Sequence, residues 1–118
     1  MAYDEHLVAA VRARLGGVDG VDERKMFGGW CATVSGHMAV GVLGDDLIVR
    51  VGRVGYEEAL GRPGVRPFDF SGRPMTGWVY VDGAIATRRR ALDRWVDQGV
   101  AFAQGLAPKA SAARTRRG

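Results

Sequence analysis

The stretch from Met26 to Gly44 carries no Asp, Glu, Lys or Arg, yet glycines at 28, 29, 36, 41 and 44 interrupt it. An uncharged run of this kind calls for burial, and its length approaches that of a membrane-spanning helix. Glycine at such density breaks a helix, however, and Ser35-Gly36 falls where a tight hairpin turn is expected. The run therefore predicts a buried antiparallel hairpin rather than a membrane span.

The flanking sequence extends that hairpin into a meander. Val21 to Phe27, Trp30 to Val34, Met38 to Leu43 and Leu47 to Val51 read as successive strands, separated by Gly28-Gly29, Ser35-Gly36 and Gly44-Asp45-Asp46. Leu47, Val49 and Val51 share one face of the last strand and Ile48 and Arg50 the other, the alternation of a sheet with one buried side. Further along, Val65 to Met75 is turn-rich and extended, with Phe68 and Phe70 at period 2, and Gly77 to Asp82 reads as a strand that Asp82-Gly83 turns.

Helical periodicity appears at three places. Leu7, Val8, Val11 and Leu15 follow Asp4 and end at Gly16-Gly17, and Tyr56 to Leu60 forms a short helix closed by Pro63-Gly64. The cleanest stripe is the last, where Leu92, Trp95, Val96, Gly99, Phe102, Ala103 and Leu106 keep helical spacing up to Pro108. Helices before, between and after strands, without regular βαβ alternation, predict an α+β fold. Its expected form is two layers, a mainly antiparallel sheet with helices on one face, in the approximate order α-β4-α-β2-α.

No internal repeat or linker divides residues 1–106, which are expected to form one domain. The whole chain has 17 Lys/Arg against 13 Asp/Glu, but all four excess cations, Lys109, Arg114, Arg116 and Arg117, lie in 107–118. The body is formally neutral. Poor in large apolar residues, the tail is expected to be basic and flexible. Cys31 is the single cysteine, which excludes an internal disulfide and suits a reducing, cytoplasmic setting. The acidic start at Met1 to His6 has no targeting pattern.

Met26-Phe27-Gly28-Gly29, Gly36-His37-Met38, Asp46 to Val51, Pro63 to Phe68, Gly72-Arg73-Pro74-Met75-Thr76-Gly77-Trp78-Val79, Trp95-Val96 and Pro108-Lys109 together resemble the N-terminal domain of the TfoX/Sxy family. The likeness runs in order over roughly residues 3 to 109. It implies a compact two-layer domain from regulators of natural competence that act with a cAMP-responsive transcription activator. Those regulators carry a second, C-terminal helical domain, which the likeness over these residues does not include. From the resemblance and the lack of catalytic groups, a non-enzymatic regulatory or protein-interaction module is expected, and no cofactor is expected.

The residues themselves offer little chemistry. Nucleophilic catalysis needs a base within hydrogen-bond reach of an activated nucleophile. Cys31 and His37 are the only nearby Cys-His candidates, and the Ser35-Gly36 turn sets them apart, so Cys31 is expected to be an inert thiol. Isolated His6 and His37 suggest no metal site. Gly52-Arg53-Val54-Gly55 lacks the remaining residues of a phosphate-binding loop and reads as a strand-to-helix turn. Arg88-Arg89-Arg90 opens a helix against its dipole; because successive helical residues point about 100° apart, the three are not expected to form one patch, and Arg90 and Arg94 are expected to pair with Asp93 and Asp97.

The candidate protein-binding surface comprises Met26, Phe27, Gly28, Gly29 and Trp30 with Gly72, Pro74, Met75, Gly77 and Trp78, large apolar side chains beside glycines. The first role expected of these glycines is to let the two loops pack together. The partner expected is a protein such as the transcription machinery. The alternative is weak nucleic-acid association through Arg88, Arg89, Lys109, Arg114, Arg116 and Arg117. An exposed edge strand also allows a homodimer.

Overall fold

The computed structural model describes residues 3–26, 28–69 and 72–106. Phe27, Phe70 and the basic tail lie outside them. Asp4 caps α1 (Glu5–Leu15), its carboxylate accepting from the N–H groups of His6 and Leu7, and Leu7, Val8, Val11 and Leu15 are buried. Four strands then run antiparallel as expected: β1 (Val21–Met26), β2 (Gly29–Val34), β3 (His37–Leu43) and β4 (Asp46–Arg50). Ser35 and Gly36 both take positive φ, 51° and 88°, the paired left-handed conformation of a type I′ hairpin turn.

Next come α2 (Gly52–Leu60), β5 (Val65–Pro67), β6 (Trp78–Val81), α3 (Gly83–Ala86) and α4 (Arg89–Gln104). The six strands form one antiparallel sheet in the order β1-β2-β3-β4-β6-β5. The three-residue β5 lies at an edge, where Pro67, which has no N–H to donate, is tolerated.

The α+β class and the single layer of helices follow from which residues are buried together. Trp30, Ala32, Val34, Val40, Val42, Leu47, Val49, Val79 and Val81 join the α1 and α4 stripes in one core. Period-2 alternation sends the intervening residues to the other face: Cys31 stands opposite Gly41, Gly41 opposite Ile48, and Ile48 opposite Tyr80. Glycine at 99 lets α4 approach the sheet at β3. A Cβ there would lie 2.5 Å from the Ala39 carbonyl oxygen.

The order of elements differs from the expectation in two places. Gly52-Arg53-Val54-Gly55 is the first turn of α2, not a loop before it. No side chain caps this helix; instead the N–H groups of Val51 and Gly52 donate to the Gly77 carbonyl at 2.8 and 3.0 Å, so its start is held by tertiary contact. Asp82-Gly83 does more than turn the chain. The Asp82 carboxylate accepts from the Ala84 N–H at 2.9 Å and starts the short α3, giving α-β4-α-β2-α-α.

Candidate functional site

Strand register separates the two glycine-containing motifs. Gly29 stands opposite Met26, Leu43 opposite Asp46, and Leu47 opposite Val81, all at one end of the sheet. Arg50 stands opposite Trp78 at the other end, with β3 and β4 between the motifs. Met26 and Gly29 therefore lie at the opposite end of the sheet from Trp78, and Phe27 lies outside the described residues. Trp30 is only 4% exposed, on the helix-covered face. Its indole N–H donates to Glu23 at 3.0 Å, and the Arg12 guanidinium lies 5.7 Å from its ring centre.

The segment from Gly72 to Trp78 packs instead on the start of α2. It closes through hydrogen bonds from the Met75 N–H to Phe68 and from the Trp78 N–H to Met75, 2.9 and 3.0 Å, while Gly77 accepts from Val51 and Gly52. Beneath it, Arg50 lies between two rings, 4.9 Å from the centre of Trp78 and 5.2 Å from that of Phe102. Burial lowers its pKa from the ordinary arginine value, while the guanidinium stays charged. Such a desolvated cation on two aromatic faces contributes about 0.5–2 kcal/mol per contact. Met75 is 42% exposed and Val54, in the first turn of α2, is fully exposed; among the described residues these are the exposed large hydrophobics. Gly72 and Pro74 are exposed, Gly77 is buried and Trp78 half-buried.

A concavity lies between the end of α2, α3 and the first half of α4, an open groove of about 1050 Å³. Arg88, Arg89, Arg90 and Arg94 all line it, together with Arg62. Contrary to the expectation that the three consecutive arginines form no single patch, all three line this groove, Arg88 as the residue before the helix and so outside its 100° rotation. The expected pairing of Arg90 and Arg94 with Asp93 and Asp97 is also replaced. Arg14 of α1 bonds Asp97 through two nitrogens and lies 3.8 Å from Asp93, whose other cation is Arg89 at 3.9 Å. Among the described residues, Arg88, Arg90 and Arg94 form no ion pair.

Arg62 escaped sequence reasoning. Its one local signal, Glu58 four residues earlier, reads as an ordinary surface pair. In the fold its Nε donates to Glu58 at 3.1 Å, another nitrogen donates to Gln98 at 3.3 Å, and its guanidinium carbon lies 4.5 Å from the centre of the Trp95 ring.

Cys31 is buried opposite Gly41, whereas His37 stands opposite Val34, so the hairpin holds them apart. Burial raises the Cys31 pKa, away from the reactive thiolate. Among the described residues no group of three or more His, Cys, Asp or Glu side chains is placed to hold a metal. No helix among them is long and apolar enough to cross a membrane.

Comparison with known families gives a model match to the TfoX N-terminal domain over residues 13–103. The chain belongs to the TfoX N-terminal domain family. No curated protein and no solved structure matches it. The matched span runs from within α1 into the last turn of α4 and contains the whole six-stranded sheet, the Gly72–Trp78 loop and the arginine groove. TfoX N-terminal domains are not a known enzymatic family, and membership suggests a module like that of competence regulators.

Proposed function

We propose that this TfoX N-terminal domain is a non-enzymatic, cytoplasmic regulatory module that binds a protein partner of the transcription machinery. Its contact surface is the Gly72–Trp78 loop together with the first turn of α2. The observation that carries this reading is the location of Met75 and Val54. Among the described residues the two exposed large hydrophobics belong to the two segments that meet at Gly77, next to Trp78 and its contact with Arg50. Apolar side chains held out on an ordered base are characteristic of interface anchors. The absence of catalysis is supported by the family and by Cys31, whose burial raises its pKa away from the reactive thiolate.

Site-specific photocrosslinking in the native cell tests this surface. A crosslinkable residue at 54 or at 75 should capture the same transcription-associated protein, and one at exposed Ala101 should not. Met75→Glu should abolish capture from position 54 while leaving the circular dichroism spectrum unchanged. Equal yields from all three positions, or capture indifferent to Met75→Glu, would exclude the surface.

A further inference from the structure

The arginine groove has more cation than its own carboxylates neutralise. Among the described residues Asp97 is the one acidic side chain lining it, and its oxygens are bonded by Arg14 from the α1 side; Arg62 and Arg89 pair with Glu58 and Asp93, which leaves Arg88, Arg90 and Arg94 without an ion pair. Arg90, Arg94 and Gln98 follow at four-residue spacing, one side of α4, and Arg62 faces them from the end of α2. Like charges converge in this way only against their mutual repulsion, which a bound anion relieves. Guanidinium groups suit phosphate because their paired N–H donors match two of its oxygens.

The shape and the floor narrow the class of anion. Residues 1–106 are formally neutral, and five of their thirteen Lys/Arg line this one concavity, a local cluster and not the long basic track that a nucleic-acid backbone needs. Its volume, about 1050 Å³, is just above the range common for small-molecule sites, about 300–1,000 Å³. Pro63, Ile85 and Trp95 give the groove an apolar lining beside the arginines. The Arg62 guanidinium is held by Glu58, Gln98 and its contact with the Trp95 ring, and as a planar group it offers a stacking surface. We infer that this groove binds a nucleoside polyphosphate, its phosphates held by Arg88, Arg90 and Arg94 and its base stacked at Arg62.

Isothermal titration calorimetry of the full chain tests the site, with ATP, inorganic triphosphate, adenosine and a single-stranded oligonucleotide as probes. ATP should bind with one-to-one stoichiometry, weakening as salt rises, with triphosphate at least threefold weaker and adenosine silent. Arg90→Gln with Arg94→Gln should reduce ATP affinity at least tenfold at unchanged thermal stability, and serine at Lys109, Arg114, Arg116 and Arg117 should change it less than twofold. Arg94→Lys should retain part of the affinity. No ATP binding at millimolar concentration, or binding indifferent to the paired glutamines, overturns the site. Triphosphate as tight as ATP overturns recognition of the base, and an oligonucleotide that displaces ATP at lower phosphate concentration overturns the choice of a small ligand.

Discussion

Gly99 of α4 passes over Ala39 of β3 so closely that a methyl group on Gly99 would stand 2.5 Å from the Ala39 carbonyl oxygen and 2.9 Å from a Val40 methyl. Alanine is the better helix former by about 1 kcal/mol. At this position the steric term outweighs it, because backbone as well as side chain must move. Gly99→Ala should lower stability by about 1–3 kcal/mol, as overpacked core sites do. Urea denaturation reads the loss directly, and a variant at least as stable as the parent would show that α4 does not approach β3 this closely.

The same helix shows where sequence suffices and where it does not. Leu92, Trp95, Val96, Gly99 and Ala103 are buried because helical periodicity is a local property, and the meander was legible because period-2 alternation and Ser35-Gly36 are local too. The start of α2 was not legible, since its first N–H groups are satisfied by Gly77, a residue far along the chain. Nor was the separation of Met26 and Gly29 from Trp78, which depends on β6 pairing with β4 at the opposite end of the sheet. The arginine groove is likewise tertiary: Arg62 reaches α4 only once α2 has docked, and Arg14 takes the carboxylates that spacing alone would give to Arg90 and Arg94.

Asp46 ties three elements together. Its carboxylate accepts from the Gly83 N–H at 3.0 Å, fixing the start of α3 to β4, and from Arg66 of β5 at 2.7 Å. Asp46→Ala should cost about 1–2 kcal/mol, chiefly through the partly buried Gly83 N–H left without its acceptor. Asp46→Asn keeps an oxygen for that N–H and should cost less than half as much, since ion pairs near the surface contribute little. Hydrogen exchange should show faster exchange at Gly83 in the alanine variant than in the asparagine one, and equal exchange in the two would contradict this assignment.

Glu23 and Asp97 give the fold an acid-sensitive component. Arg12 and the Trp30 indole hold the Glu23 carboxyl below its ordinary range, and Arg14 does the same for Asp97. A folded pKa below the unfolded one contributes stability that is complete above about pH 4.3 and lost as pH falls through the depressed value. Glu23→Gln should therefore be less stable than the parent at pH 7, and the two should converge toward pH 2. Chemical denaturation at a series of pH values checks this, with parallel stability curves as the contrary result.

Cys31 should react only when the sheet opens. It is 1% exposed beneath the face opposite the helices, and burial raises its pKa, so both access and thiolate fraction are reduced. Exchange through local or global opening then limits modification, and the rate reports the free energy of that opening. At pH 8 a disulfide reagent should modify the native chain at least a hundredfold more slowly than the chain in denaturant, with the rate rising as sub-denaturing urea is added. Gly41→Ala, which crowds the Met38 methyl at 2.9 Å and the Trp30 carbonyl at 2.9 Å directly beside Cys31, should loosen that face and speed the reaction. Modification of the parent within tenfold of the unfolded rate would mean that Cys31 is accessible without opening, and would remove one support for reading the domain as non-catalytic.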